Sequence, residues 1–310
     1  MSAPSAAVHD ADVEPREAAP APPKRTRPFY WSVRRELWEN RAVYLAPAGV
    51  AAFAVFALVL HAGTMPSHMP GMLANDPATP GSAPVTYNVA ALLMLATAFI
   101  VAAYYSLEAL GGERRDRSIL FWKSLPVSDR TTVLAKATVP LVVLPLVTFA
   151  AIVAMHLALL LLSTVALVVQ GYSAAPLWRA LQPPRMWGSL LYAVGAMALW
   201  HAPLHAFLLL VSGWARRTAV LWAVLPLLAV GVLEKLTFDT TRVAAWAQYR
   251  LVGWYPEGFD GGTPGGVPFG SATAIAPGRL LAAPGLWIGL ALAAVFLAAA
   301  VRLRRYREPG

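Results

Sequence analysis

Long apolar runs separated by shorter polar segments dominate the sequence. Residues 42–63 carry no charge, and similar apolar runs occupy residues 87–107, 137–169, 186–215, 218–233 and 280–301. A helix needs about 20 predominantly apolar residues to cross the hydrocarbon core of a bilayer. The pattern therefore predicts an all-α integral membrane protein with six transmembrane helices.

The third run leaves two interpretations open. Residues 137–178 contain no charged side chain, which is enough length for two short spans. No turn signal interrupts residues 149–169, however, and Gly171 with Pro176 marks where the apolar run fades. We therefore expect one long, tilted span over residues 137–169.

The basic residues test this count of spans. With six spans and both termini in the cytoplasm, 19 of the 25 Lys and Arg residues lie on the cytoplasmic side and six on the outer side. Such an excess is typical of cytoplasmic segments in multi-pass proteins. The sequence predicts a multi-pass protein of the inner (plasma) membrane with both termini in the cytoplasm.

Composition supports this class of protein. Hydrophobic residues make up 58% of the chain and charged residues 13%, against about 25% charged in soluble domains. The net charge of +9 is concentrated beside apolar runs, so we expect a bilayer as partner and no nucleic acid. The absence of cysteine excludes thiolate metal sites, and no phosphate-binding G-x-x-x-x-G-K-[ST] run occurs. We expect no enzymatic activity and no bound cofactor or metal.

The segments around the spans have distinct characters. Residues 1–27 are rich in Ala, Pro and mixed charge, and they predict a disordered cytosolic tail. Residues 28–41 place aromatic and basic side chains at helical spacing, which indicates an interfacial helix before the six-span domain of residues 42–310. Residues 64–84 and 258–278 are predicted to be irregular, whereas residues 241–252, in the outer loop 234–279, have helical spacing.

The polar segment 111–136 separates the second and third spans. Gly111 and Gly112 are expected to break the preceding helix, and residues 113–117 are densely charged. Residues 118–125 are short and half apolar, which favours an interfacial helix whose charged end is open to a cytosolic partner. Pro126 is expected to end that helix, and Ser128 or Asp129 to cap the next one. The arginines alone are also explained by topology.

These residues resemble the loop between the second and third spans of permease subunits of ABC exporters of the type-2 class. The charged turn matches at Glu113, Arg114, Arg115, Asp116 and Arg117; the coupling helix spans residues 119–125 and includes Ile119, Leu120, Phe121 and Trp122; the ending matches at Leu125, Pro126, Val127 and Ser128. The resemblance implies that residues 28–41 form the elbow helix that precedes the first span in this family. The alternative is that they form a simple juxtamembrane anchor.

The same resemblance implies a set of partners. These are a separate ABC ATP-binding subunit that holds ATP and Mg, and a second copy of the permease. The partner would push on residues 119–125, so that the two membrane bundles rock and open a cavity outward. The first, second and fifth spans would line the pathway. An apolar and aromatic lining would suit an amphiphilic substrate.

Three polar side chains inside or beside the spans are further candidates. His201 and His205 share one face of the fourth span, and such a pair can bind a metal or relay protons. No third ligand follows nearby, so hydrogen bonding at a helix interface or cavity is the expected role. Glu108 is expected to pair with an arginine of the segment 111–136. The alternatives to the permease are a membrane enzyme that uses His201 and His205, and a non-transporting anchor or sensor.

Overall fold

The computed structural model describes residues 27–61, 75–76, 79–80, 82–115, 127–215, 218–261 and 274–306. Its helices and short strands follow in chain order: α1 Pro28–Glu39, α2 Ala42–His61, β1 Asn75–Asp76, β2 Thr79–Pro80, α3 Ser82–Glu108, α4 Gly111–Arg115, α5 Asp129–Thr138, a π-helical turn Val139–Val143, α6 Leu144–Val169, α7 Ala175–Leu181, α8 Pro183–Trp214, α9 Ala219–Phe238, α10 Arg242–Val252, α11 Trp254–Gly258, β3 Phe259–Asp260, β4 Ala274–Ile275, α12 Pro277–Ala282 and α13 Pro284–Tyr306.

The predicted all-α fold with six membrane-spanning helices is confirmed. Six helical segments are long and apolar enough to cross a bilayer: 42–60, 86–113, 129–169, 175–214, 219–238 and 284–306. The third is a single segment that includes α5, the π-helical turn and α6, so the prediction of one span rather than two is correct. The fourth span contains α8, and the fifth is α9.

The fourth span is the centre of the bundle. Helix α8 packs most extensively against α13 and also contacts α3 and α6. Trp200 and Leu209 of α8 are completely buried, together with Met94 of α3 and Ile152 of α6. The fifth span is different, because Ala223 is the only one of its described residues that is buried. The bundle therefore has a tight core around α8 and a loosely attached fifth span.

A π-helical turn interrupts the third span near its beginning. The N–H of Leu144 donates to the carbonyl of Val139, five residues earlier, rather than to the usual carbonyl four residues earlier. Pro140 lies within the turn that this bond closes, and Pro145 directly follows it. Proline has no N–H and clashes with the preceding turn, so two prolines close together explain why the regular α-helical ladder fails there.

Several element boundaries differ from the sequence predictions. Residues 64–84 are not wholly irregular, because β1 pairs with β2 and α3 begins at Ser82. The fifth span continues to Phe238 instead of ending at residue 233, so charged residues at its end did not stop the helix. The sixth begins at Pro284, after α12, since proline disfavours helical geometry in the residue before it.

The outer-loop predictions are confirmed in part. Helix α10 covers the range 241–252 that helical spacing indicated, apart from its first residue. Within 258–278, β3 pairs with β4 and α12 begins at Pro277, so the described part of this range is ordered. The predicted tail of residues 1–27 lies outside the described residues except for Arg27.

The two ends of the bundle collect different elements. Helix α1, helix α4, the start of α5 and the last turns of α13 lie together at one end, which we call the α1 end. Helices α10, α11 and α12 lie together at the opposite end, which we call the α10 end. The α1 end thus collects α4 and the start of α5, the two described helical parts of the segment that resembles a coupling loop.

Candidate coupling site

Four charged side chains are buried together at the α1 end. We call Glu36, Glu113, Lys136 and Arg304 the buried ion cluster. Lys136 is its centre: its Nζ lies 2.8 Å from Oε1 of Glu36 and 3.1 Å from Oε1 of Glu113. Its side chain is only 3% exposed. One lysine therefore joins two carboxylates from different parts of the chain.

Arg304 closes the cluster from the end of the sixth span. Its Nη1 lies 2.6 Å from Oε2 of Glu113, and its Nε lies 3.1 Å from Oδ1 of Asp129. The Arg304 side chain is 5% exposed. Glu113 thus uses one carboxylate oxygen for Lys136 and the other for Arg304. Charge-assisted bonds of this length are among the stronger hydrogen bonds in proteins.

Helix α1 contributes a second carboxylate and its own arginine. Arg35 Nη2 donates to Oε1 of Glu36 at 2.7 Å and to Oε1 of Glu113 at 3.0 Å. The hydroxyl of Tyr105 donates to Oε2 of Glu36 at 2.8 Å. Helix α1 is consequently bonded to the second and third spans through one buried glutamate.

The charges of this site balance among the described side chains that are less than one third exposed. Arg35, Lys136 and Arg304 face Glu36, Glu113 and Asp129, three of each sign, and the half-exposed Glu39 lies 3.6 Å from Arg35. Burial acts to raise the pKa of Glu36, but Lys136, Arg35 and the Tyr105 hydroxyl outweigh it and lower that pKa below its usual value. Glu36 is therefore ionised near neutral pH. Removing one partner from such a cluster leaves an uncompensated buried charge.

A hydroxyl of the fourth span supports the break between α3 and α4. The Ser212 Oγ accepts from the backbone N–H of Leu110 at 3.1 Å and of Gly111 at 2.9 Å. Both N–H groups lie at the start of helix α4, where a helix offers no backbone carbonyl to accept from them. The chain turns at Ala109 and Leu110, and Gly111 starts α4 instead of ending regular structure.

The expected pairing of Glu108 with an arginine of the segment 111–136 is confirmed. Arg115 Nη2 lies 2.9 Å from Oε2 of Glu108. The Arg115 side chain is 70% exposed and that of Glu108 38% exposed, so water screens this pair and its contribution to stability is small. It differs in this respect from the buried ion cluster.

Glu113 does not have the exposed position predicted for it. Its carboxylate faces Lys136 and Arg304 inside the protein, and it is 8% exposed, so it is not available for direct contact with a partner. Ser128 caps α5 as predicted, since its Oγ accepts from the N–H of Thr131 at 3.1 Å. Val127 is half-buried beside it. The other predicted coupling residues lie outside the part of the chain that the structure describes. They are Asp116, Arg117, Ile119, Leu120, Phe121, Trp122, Leu125, Pro126 and, for its side chain only, Arg114.

A groove opens beside Val127 and Ser128, which precede helix α5. It has a volume of about 670 Å³, and it lies between the start of α5 and the end of α13. Arg130, Arg304 and Arg305 line it together with one acidic residue, Asp129. The groove is therefore predominantly basic. Its first lining residue, Val127, comes directly after the segment 116–126 in the sequence.

His201 and His205 lie in the middle of the bundle. His201 is 3% and His205 4% exposed, and the ring of Phe99 contacts both, with ring centroids 4.9 and 5.9 Å away. Nε2 of His201 lies 2.9 Å from the carbonyl oxygen of Leu251. No group of three metal-ligating side chains occurs within the part of the chain that the structure describes.

Sequence reasoning missed Glu36, Lys136 and Arg304 as members of a common site. They are 100 and 168 residues apart along the chain, and no periodicity connects them. A weak signal was available for two of them, because Lys136 and Arg304 stand at the border of an apolar run, where an ion without a partner is costly. This signal does not distinguish Arg304 from Arg302, Arg305 and Arg307, which lie beside it after the sixth apolar run.

Comparison with known proteins adds no relative. No protein-family model matches the chain, and neither a curated protein nor a solved structure is similar to it.

Proposed function

We propose that this chain is the membrane-spanning permease subunit of an ATP-driven ABC exporter of the type-2 class. In this proposal a separate ATP-binding subunit docks on the segment 116–126, and the six spans form part of the translocation pathway. The α1 end then faces the cytoplasm of the cell's inner membrane. The observation that carries the proposal is the buried ion cluster, which joins the two helices that precede and follow the docking segment along the chain.

The cluster gives the docking segment a mechanical connection to the spans. Along the chain, α4 precedes residues 116–126 and α5 follows them, and both helices carry cluster residues, Glu113 and Lys136. Glu36 adds helix α1, and Arg304 adds the sixth span. A force applied to the segment therefore reaches four elements at once, as a rigid-body mechanism requires.

The basic groove beside this segment fits the same role. Its arginines, Arg130 and Arg305, would attract acidic side chains of a docking subunit. Complementary charge of this kind mainly accelerates association and sets orientation. An apolar helix over residues 119–125 would supply the buried part of the interface, and the groove its polar rim.

The fifth span supports a second copy of the permease. A helix with only Ala223 buried makes few contacts in the monomer. A second bundle packed against α9 would enclose a pathway between two copies. The exposed side chains of α9 that would line or border it are apolar, which suits an amphiphilic substrate.

Co-purification tests the proposal. The tagged chain is extracted from its native membrane, and co-purifying proteins are identified by mass spectrometry. We expect an ATPase with a G-x-x-x-x-G-K-[ST] motif, whose activity rises in the complex. A double substitution of Phe121→Ala and Trp122→Ala should abolish its retention without lowering the amount of folded permease.

The matched control is a double substitution at the opposite end. Phe238 and Trp246 are 72% and 54% exposed at the α10 end, so Phe238→Ala with Trp246→Ala removes the same two ring types elsewhere. This variant should retain the ATPase. The proposal is wrong if no such ATPase is recovered, or if both double variants retain it equally.

The membrane enzyme that uses His201 and His205 has less support. Both rings are buried against Phe99, and among the residues that the structure describes no acid or further histidine joins them. An anchor or sensor would not need ion pairs that join α1, α4, α5 and the sixth span.

A further inference from the structure

The cavity between the second, third and fourth spans is the strongest unexplained feature of the molecule. Its volume is about 30 Å³, and its described lining is apolar except for Thr148, His201 and His205. Pro140, Leu144 and Pro145 form one wall, so the cavity lies against the π-helical turn. Such turns occur often at functional sites.

Three buried polar atoms at this cavity have no protein partner among the described residues. They are Oγ1 of Thr148, Nδ1 of His201 and Nδ1 of His205. Thr148 is completely buried, and the two histidines are 3% and 4% exposed. Leaving a buried polar group without a hydrogen bond costs about 1–3 kcal/mol, so three at one place require an explanation.

The hydrogen-bonding capacity of these atoms identifies the kind of ligand. The carbonyl of Leu251 can only accept, so Nε2 of His201 carries the proton and donates to it. In the neutral ring Nδ1 of His201 is then an acceptor. The Thr148 hydroxyl can both donate and accept. The ligand must therefore be able to donate to the ring and to form a hydrogen bond of either direction with the hydroxyl, which a water molecule does.

The size and charge of the cavity exclude larger or strongly charged ligands. A site needs about 10–15 Å³ by this measure to hold one water molecule, so 30 Å³ accommodates one or two. No acidic side chain and no thiolate line it in the part of the chain described, so a divalent cation would be left uncompensated in a low-dielectric interior.

From these observations we propose that the cavity is a specific internal water site, in which one or two water molecules join Thr148 of the third span to His201 and His205 of the fourth. The water completes the hydrogen bonds of three side chains beside the π-helical turn. This proposal does not depend on the proposed transport function, because it rests on the bundle interior alone.

Radiolytic labelling tests the site in the full-length protein. Brief X-ray exposure makes hydroxyl radicals from water, and these oxidise the nearest side chains. Met197 lines the cavity, whereas Met94 and Met155 are buried away from it. Met197 is half-buried, so its rate is compared between variants and not with that of the buried methionines. We expect Thr148→Val to slow Met197 oxidation roughly twofold or more by disfavouring bound water.

Two variants separate loss of water from loss of structure. Thr148→Ser keeps the hydroxyl and should label like the wild type. Thr97→Val removes a hydroxyl that bonds to its own helix, to the carbonyl of Leu93 at 2.8 Å, and should also leave Met197 unchanged. If Thr148→Val labels Met197 at the wild-type rate, the water site is refuted.

A high-resolution structure in a lipid nanodisc gives the direct test. We expect a density peak about 2.7–3.2 Å from Thr148 Oγ1 and from one of the two Nδ1 atoms, and no such peak in Thr148→Val. A wild-type map at about 2 Å without this peak overturns the proposal. So does stoichiometric transition metal in the purified protein that is lost in His205→Ala.

Discussion

Substitution of Lys136 by methionine is the most direct test of the buried ion cluster. Methionine keeps the length and apolar stem of the side chain but removes its charge. Glu36 and Glu113 would then lose bonds of 2.8 and 3.1 Å, and three acids would face two bases. Breaking a buried pair by removing one partner costs about 3–5 kcal/mol.

The lower end of that range applies here. Arg35 and Arg304 still contact the two glutamates after the substitution, so neither carboxylate is left alone. We expect Lys136→Met to lower the free energy of unfolding by about 3 kcal/mol. At about 2–4 °C per kcal/mol this is a fall in Tm of roughly 6–12 °C.

A second substitution should restore part of this loss. Lys136→Met with Glu36→Gln leaves two acids and two bases, so the charge balances again. We expect the double variant to be more stable than the sum of the single effects predicts, by about 1–3 kcal/mol. The assay is thermal unfolding in detergent, followed by the fluorescence of the 11 tryptophans.

The control lies on α1, the helix that carries Glu36. Glu39 is 50% exposed and 3.6 Å from Arg35, so Glu39→Gln should change stability by no more than about 1 kcal/mol. Our reasoning about the cluster fails if Lys136→Met unfolds within 2 °C of the Glu39→Gln control, a margin set by about 1 kcal/mol. It also fails if the two single effects simply add.

Three further predictions concern pH, capping and packing. Because the folded pKa of Glu36 is lowered, its stabilising effect is complete above the unfolded value of about 4.3 and is lost as pH falls through the folded value; Glu36→Gln should flatten the acid limb of a Tm profile. Ser212→Ala removes the acceptor of two backbone N–H groups, so thermal unfolding should show a free energy of unfolding lower by about 1–2 kcal/mol. Ser212→Thr keeps the hydroxyl and should keep most of the wild-type stability. A Cβ on Gly253 would lie 2.8 Å from the Trp200 ring, so Gly253→Ala should cost about 1–3 kcal/mol, and an unchanged Tm would contradict this packing.

Much of the fold was predictable because apolar length and turn residues act locally. The six spans, the single third span, the Ser128 cap and helix α10 each follow from residues close together in the sequence. The π-helical turn was not predicted, although Pro140 was visible in the sequence, because one proline is compatible with a kink or a helix start.

The candidate site was predictable only in its outline. The segment 111–136 was recognised from its composition, yet the burial of Glu113 was not, because that burial is decided by Lys136 and Arg304 from other spans. His201 and His205 were expected to share a face, and they do line one cavity. Its third polar member, Thr148, is a single hydroxyl in an apolar run and gave no signal.

The order of synthesis gives the buried ion cluster a further consequence. Glu36, Glu113 and Lys136 emerge from the ribosome well before Arg304, which follows Lys136 by 168 residues. At about 5–20 residues per second this interval lasts roughly 10–30 s. During it three acids, Glu36, Glu113 and Asp129, face only two bases, Lys136 and Arg35. The last span therefore completes the assembly electrostatically, and a nascent chain that lacks it presents an unbalanced acidic site that membrane quality control could recognise.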